Sequence, residues 1–367
     1  MIPLSTSIYT PTGWKSIADC NVGDEIYTPD GDIQTLSYIS EPEVQSLFAL
    51  TFRDERSIKV SRYQLFSRLF RKRFVDYENF KESTELKKEI ISAETIYERM
   101  QHLTRYNKMY IEPCCIKNTD IKSNFVLHPY ILGALIGDAY LGSCIVLSTE
   151  DAIVERIKSF LPSGIEIRLK ERTTDISGEY RFSGTERNGS KIVNPVIDEL
   201  VRYNLRFHRS WQKFIPEDYL YAPYNDRLEL IRGLMDTDGT ANEENNSIKY
   251  STISEQLALD VQYLFRSMGC IARLRVHRVY KNNKTTGGPA EHISREMTIT
   301  APYPRDFFTL ERKRNKVTET TRYTEGFRLL LISIVPLPEK EPCVWIKTSS
   351  KENEFVANDF IRLVGQM

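Results

Sequence analysis

No two cysteines in this chain stand at C-x-x-C spacing. The six present (Cys20, Cys114, Cys115, Cys144, Cys270 and Cys343) therefore suggest neither a zinc framework nor a redox pair. No secretory leader is read ahead of them, so a reduced, cytoplasmic setting is expected. No apolar run approaches the ~20 residues that a membrane-spanning helix needs. Charge of one sign is also missing, since 50 basic residues balance 50 acidic ones. A global polycation is thereby excluded, and any nucleic-acid surface has to come from local segregation of charge. What remains is a chain of 367 residues, long enough for a sizeable core and two domains.

Two stretches organise the rest: Pro129 to Gly142, PYILGALIGDAYLG, and Arg227 to Thr240, RLELIRGLMDTDGT. Each is an apolar run of helix length that ends in an aspartate beside a small residue, Asp138 before Ala139 and Asp238 before Gly239. Pro129 suits a first helical position, and Asp226 with Glu229 reads as a capping box. Gly133 and Gly137 in one run, and Gly233 and Thr237 in the other, give each helix a small-residue stripe. Two such stripes allow the helices to cross closely and bring the two aspartates side by side. A helix C-terminus already carries partial negative charge, so an aspartate there is unfavourable and two converging are worse. The pattern makes chemical sense if divalent cations sit between the carboxylates, and hard oxygen ligands suit Mg²⁺. A single acidic helix end often does no more than cap the next loop. The duplication makes that reading weaker here.

After each aspartate the same order of elements follows. The first copy reads as a strand at Cys144–Ser148, a helix at Glu150–Leu161 and strands at Ile165–Arg172 and Glu179–Ser183. The second reads as a strand at Ser247–Thr252, a helix at Glu255–Gly269 and strands at Ile271–Tyr280 and Arg295–Thr300. Period-two alternation places Arg168, Lys170 and Arg172 on one face in the first copy, and Arg273, Arg275 and His277 on one face in the second. A basic saddle of this kind could lie along a DNA major groove, with Arg181, Lys249 and Arg278 as further contacts. An ordinary solvated sheet face is the alternative. The Tyr280–Pro289 segment reads as a hairpin loop that could order on a phosphate backbone.

LGALIGDAY and IRGLMDTDG resemble the paired motifs of single-chain LAGLIDADG homing endonucleases. The second copy is the closer, and the first has Ile136 and Gly137 where the eponymous pattern has Asp and Ala. The resemblance implies an α+β domain of two pseudo-symmetric αββαββα repeats that cuts double-stranded DNA at a long asymmetric site as a monomer. It implies two or three Mg²⁺ ions shared by Asp138 and Asp238. KFIP at Lys213 and LERK at Lys313 resemble the family's lysine-bearing blocks, which makes both lysines catalytic helpers that offset charge or polarise water. Each lysine stands 75 residues after its aspartate.

Residues 1 to 66 read as short strands divided by turn signals at Pro11-Thr12-Gly13, Gly23-Asp24 and Pro29-Asp30-Gly31. A charged, helical stretch is expected from Tyr77 to His102. The cluster Arg68, Arg71, Lys72 and Arg73 is either a solvated edge or a phosphate contact. The opening PLSTSIYTPTGWKSIADCNVGDEIYTPDG, KVSRYQLF at Lys59–Phe66 and CVWIKTSSKENEFVANDFI at Cys343–Ile361 resemble the conserved blocks of an intein, the Hint fold. By that register Met1 replaces the nucleophile, Gln64 the second-block histidine, and Leu363 and Val364 the terminal His-Asn. A thioether performs no acyl shift and valine has no amide to cyclise, so splicing is expected to be lost.

The expected architecture is an all-β Hint-like domain in two parts, 1–121 and 322–367, around an endonuclease domain at 122–321 with repeats at about 124–222 and 223–321. The expected function is a free-standing homing endonuclease, such as a phage or other mobile element encodes. A non-cleaving, maturase-like DNA- or RNA-binding protein and an active splicing element are the alternatives.

Overall fold

The computed structural model describes residues 1–76, 81–102, 108–117, 123–188, 191–244, 246–281, 291–321 and 327–366. The chain divides into two units. Met1–Asn118, Arg266–Ile271 and Tyr323–Met367 form one, and Thr119–Phe265 and Ala272–Arg322 form the other.

In the first unit, alternating sequence and turn signals give strands, and those strands come from both ends of the chain. Ile2 pairs with Val344, Ile8 with Ala357, Phe52 with Leu331 and Leu65 with Val364. The residues facing inward, among them Leu50, Val60, Phe66, Leu331, Phe355 and Ile361, make one apolar core. Both chain ends thus close a single discontinuous, mainly β domain. Within it Arg56 is fully buried. Its guanidinium meets the Asp54 carboxylate at 2.9 Å and donates to the carbonyls of Phe360 at 3.1 Å and Cys270 at 2.8 Å. Cys270 lies in Arg266–Ile271, a short strap that the middle of the sequence returns to this unit.

Of the charged, helical stretch expected over Tyr77–His102, residues 77–80 lie outside the described set and the first part of the rest is a strand. Lys81–Ser92 pairs along its length with Leu65–Asp76, and only Ala93–Gln101 is helical, capped by the Ser92 hydroxyl. Lys and Glu favour helices weakly, and here cross-strand pairing overrides that preference. Arg68 meets Glu89 across the ladder at 3.2 Å. The side chains of Arg71, Lys72 and Arg73 lie outside the described set.

The second unit contains two copies of one topology. Helix Pro129–Asp138 leads a sheet of four strands, Ala139–Leu141, Ile145–Glu150, Ser177–Gly184 and Ile165–Arg172 in spatial order. Helix Tyr224–Thr237 leads Gly239–Asn242, Ser247–Thr252, Glu291–Thr300 and Ile271–Lys281 in the same order. With helices Asp151–Lys158 and Glu255–Ser267 between the strand pairs, the α+β class of two αββαββα repeats holds. The second leading helix starts earlier than its capping-box signal suggests. Pro223 is the N-cap, Asp226 lies inside the first turn, and Glu229 pairs with Arg156 at 2.7 Å instead. The residues near Trp211 form turns, and the next helix is Glu217–Leu220. No described helix is long and apolar enough to cross a membrane.

The sheets put apolar side chains on one face and leave the other open. Ile145, Leu147, Tyr180 and Phe182 are buried on the covered face of the first sheet, and Ile248, Tyr250, Met297 and Ile299 on that of the second. Strands Ile165–Arg172 and Ile271–Lys281 are the outer strands, and their alternation fades outward. Leu169 is 47 % and Val276 66 % exposed.

Candidate active site

Gly133 and Gly233 let the two leading helices touch backbone to backbone. A β-carbon on Gly133 would collide with the Leu230 carbonyl, and one on Gly233 with the Tyr130 carbonyl. One turn further, a β-carbon on Gly137 would collide with the Thr237 hydroxyl and lie 3.3 Å from a carboxylate oxygen of Asp238. The crossing therefore delivers both helix ends to one place, with Asp138 the last helical residue of one and Asp238 the C-cap of the other.

Two cavities open there, related by the repeat. One of about 320 Å³ includes Ile136, Gly137, Asp138, Lys213 and Asp238 with Ser251 and Thr252 of the second sheet. The other, about 250 Å³, includes Asp138, Asp236 and Thr237 with Ser148 and Thr149 of the first sheet. Asp138 lines both. Glu150 stands in the second cavity where the first has Ile253.

Loss of water raises the Asp238 carboxyl to about 7, with Asp138 adding repulsion and the two lysines pulling the other way. Asp138 is raised for the same first reason. Because the folded value of Asp238 exceeds its unfolded one, the folded chain holds an extra proton between pH 3.8 and about 7. Stability of the metal-free protein is expected to fall as pH rises through that window. Thermal midpoints measured against pH in EDTA should show this slope, and Asp238→Asn should flatten it.

Lys213 and Lys313 are both buried and do the same thing. The Lys213 ammonium donates to the carbonyls of Ile136 at 2.7 Å, Gly137 at 3.1 Å and Ala139 at 3.0 Å, with Leu135 at 3.4 Å. Lys313 donates to those of Met235, Asp236, Thr237 and Gly239, between 2.7 and 3.3 Å. Each lysine thus closes the C-terminus of its own leading helix, and its N–H groups are engaged by backbone. The ammonium satisfies orphan carbonyls and supplies positive charge under the carboxylates. Burial lowers each lysine to about 8. Lys213→Met should cost about 2–3 kcal/mol of stability by leaving buried carbonyls unpaired, measurable by urea unfolding.

Asp236 is a further buried acid whose role was not evident from the sequence. It accepts from the Tyr130 hydroxyl at 2.8 Å, from the Thr309 and Leu310 amides at 2.9 and 3.2 Å, and from the Thr309 hydroxyl. It anchors the segment that carries Lys313. The only hint is its position two residues before Asp238.

The carboxylates also fit a divalent cation. Asp138 and Asp238 offer carboxylate oxygens, exposed at Asp138 and half-buried at Asp238, and near them the hydroxyl of fully buried Tyr250 has no hydrogen-bond partner among the described residues. No group of three His, Cys, Asp or Glu side chains able to hold a metal occurs among the described residues. Two carboxylates completed by water and substrate phosphate are the usual manner of Mg²⁺ binding.

The basic strand positions behave differently in the two repeats. In the first, a bulge at Lys170 breaks the alternation, because Leu169 opposes Tyr180 while Glu171 opposes Glu179. Arg172 therefore moves to the face opposite Arg168, where it pairs with Asp151 at 2.7 Å. The expected three-residue basic row does not exist. Arg168 pairs with Glu166 and Lys170 with Glu179, so the open face is mixed in sign, with Arg181 exposed on it. In the second repeat Arg275, His277 and Arg278 are exposed and Arg273 is half-buried. Lys249 pairs with Glu296 at 2.9 Å. The hairpin loop expected over Tyr280–Pro289 lies outside the described residues beyond Lys281.

The four positions that the intein resemblance singles out, Met1, Gln64, Leu363 and Val364, meet in the first unit. The Met1 nitrogen donates to Gln64 at 3.2 Å, and the Gln64 amide donates to the Leu65 and Val364 carbonyls, both at 2.8 Å. Leu363 is buried in the adjoining core.

Residues 225–302 match a family model described as a LAGLIDADG-like domain. The chain is 25% identical over 346 residues to a replicative DNA helicase DnaB of Mycobacterium intracellulare, covering 89% of this chain and 52% of the relative. It is 28% identical over 172 residues to a replicative DNA helicase DnaB of Synechocystis sp., covering 42% and 19%. The chain thus spans about half the length of the first relative and about a fifth of the second. Among solved structures it is similar to the Msm DnaB1 intein splicing domain bound with zinc (TM-score 0.18, 23% identity, 18% of this chain and 55% of that one). It is also similar to I-DmoI in complex with DNA and Mn (TM-score 0.29, 13% identity, 48% and 89%). The chain resembles an intein-borne LAGLIDADG endonuclease with a Hint-like β domain.

Proposed function

We propose that this chain is a site-specific homing endonuclease that hydrolyses both strands of duplex DNA with divalent metal and no longer splices. The convergence of Asp138 and Asp238 at the crossing helix ends carries this reading. Residues 122–321 form the cutting domain apart from the strap Arg266–Ile271, with repeats at about 124–222 and 223–321, and 1–121 with 322–367 form the β domain. Asp138 and Asp238 would hold Mg²⁺, which when bound lowers the pKa of water and stabilises a leaving oxygen.

The residues of the chain do the rest. The lysine caps keep the helix ends rigid and offset their dipoles, and the two cavities each admit one scissile phosphate across the minor groove. Water attacks phosphorus, the P–O3′ bond breaks, and the 3′ oxygen leaves with a proton, giving staggered ends. Two repeats of different sequence allow one monomer to read a long asymmetric site. Exposed Arg181, Arg275, His277 and Arg278 are the basic side chains best placed for DNA, with Arg168, Lys170, Lys249 and Arg273 released to phosphates from their present partners, while Arg172 lies on the other face of its sheet.

Supercoiled plasmid carrying a randomised insert, incubated with the chain and Mg²⁺, should be linearised in a subset of molecules, and EDTA should prevent it. Binding without any nicking would favour a maturase-like binder, and joined flanking reporter domains would favour splicing.

A further inference from the structure

The two repeats differ at the position six residues before each lysine. Phe207 stands six residues before Lys213, and Phe307 six before Lys313. Phe307 behaves as a core residue, 4 % exposed and with its ring 5.1 Å from that of Phe265. Phe207 is 64 % exposed and sits in the left-handed region at φ 66°, which bulky side chains rarely adopt. Its amide holds it there by donating to the Leu141 carbonyl at 2.7 Å, in the strand that leaves Asp138.

The neighbours of Phe207 are just as one-sided. Arg206 donates to the carbonyls of Gly142 at 2.8 Å and Ser143 at 3.2 Å, with its guanidinium 4.9 Å from the centre of the Phe207 ring. Tyr140, two residues after Asp138, is exposed on the open face of the sheet opposite Val146, and Arg209 lies 6.0 Å from the centre of its ring. At the matching positions the second repeat has Thr240, Asp306 and Thr309. Thr309 is committed to Asp236.

We propose that Tyr140, Arg206, Phe207 and Arg209 form an aromatic wedge that contacts nucleobases of the bound duplex next to Asp138, fixing which half of the target lies on the first repeat. The inference rests on the endonuclease reading and adds an orientation to it. Two aromatic faces and two guanidiniums match the chemistry by which proteins stack on or pry between bases while neutralising the flanking phosphates. An exposed aromatic pair at these positions in the first repeat, matched by Thr240 and buried Phe307 in the second, gives the duplex a polarity.

The test uses the full chain and a duplex recovered by binding selection from a randomised pool, in EDTA, with 2-aminopurine placed in turn in each half. Phe207→Asn keeps a residue that tolerates the left-handed backbone, and Arg209→Ala removes one cation. Each should weaken binding about tenfold, and Phe207→Asn should abolish the fluorescence enhancement in one half only. Phe207→Tyr should preserve both signals, and Thr240→Ala should leave affinity unchanged. Wild-type affinity and fluorescence in folded Phe207→Asn would overturn the wedge, even while the wild type cuts plasmid. Loss of binding by Phe207→Asn in a protein that never cuts would uphold the wedge and remove the endonuclease reading. Failure of the wild type to retain any duplex would overturn both.

Discussion

Asp238→Asn is expected to lower strand cleavage about a thousandfold or more, the scale of a lost metal-centred stabilisation, while raising the thermal midpoint above pH 7. Both directions follow from one fact. The carboxyl is poorly solvated and sits beside Asp138, which raises it to about 7. Above that pH the folded chain carries an ionised group where water is scarce, and an amide of the same shape removes the penalty. Asp138→Asn should behave likewise, more weakly in stability because that side chain is exposed. Duplex binding should persist in both variants. Cleavage time courses, gel shift and melting on the same preparations check all three. Undiminished cutting by either variant would remove the metal assignment. Opposite signs for activity and stability are the mark of a site held in strain for function.

Gly133→Val should unfold the second unit at ordinary temperature, a loss of more than about 4 kcal/mol. The added side chain meets the Leu230 carbonyl and the backbone of the facing helix, neither of which can yield without separating the helices. Gly233→Val meets the Tyr130 carbonyl in the same way. Gly142→Ala is the contrast. Its new β-carbon collides only with the far end of the exposed Tyr140 ring, which can swing aside, so the change should stay below about 1 kcal/mol. Urea titrations of the three variants, with the slope compared to that of the parent, separate lost stability from a changed unfolded state.

Much of this architecture is legible in the sequence because it rests on spacing. Strands Ile165–Arg172 and Ser247–Thr252 fall where period-two alternation puts them, and the glycines four residues apart imply the helix crossing. Properties that depend on a neighbour far away in sequence are not legible. The pattern Arg168, Lys170, Arg172 looks like one face until a partner strand introduces a bulge and turns Arg172 over. The Lys-Glu run at 81–92 looks helical until Leu65–Asp76 is there to pair with it. Lys213 and Lys313 can be located by motif, yet only coordinates reveal that their N–H groups point at carbonyls. Phe207 and Phe307 are identical letters at matching positions, and burial alone tells them apart.

The strap Arg266–Ile271 has a consequence for anyone who trims this chain. Arg56 uses the Cys270 carbonyl, which the strap provides. Removing the residues between 118 and 323 as one block would leave a sealed-in guanidinium short of one acceptor, so a shortened first unit should retain these six residues.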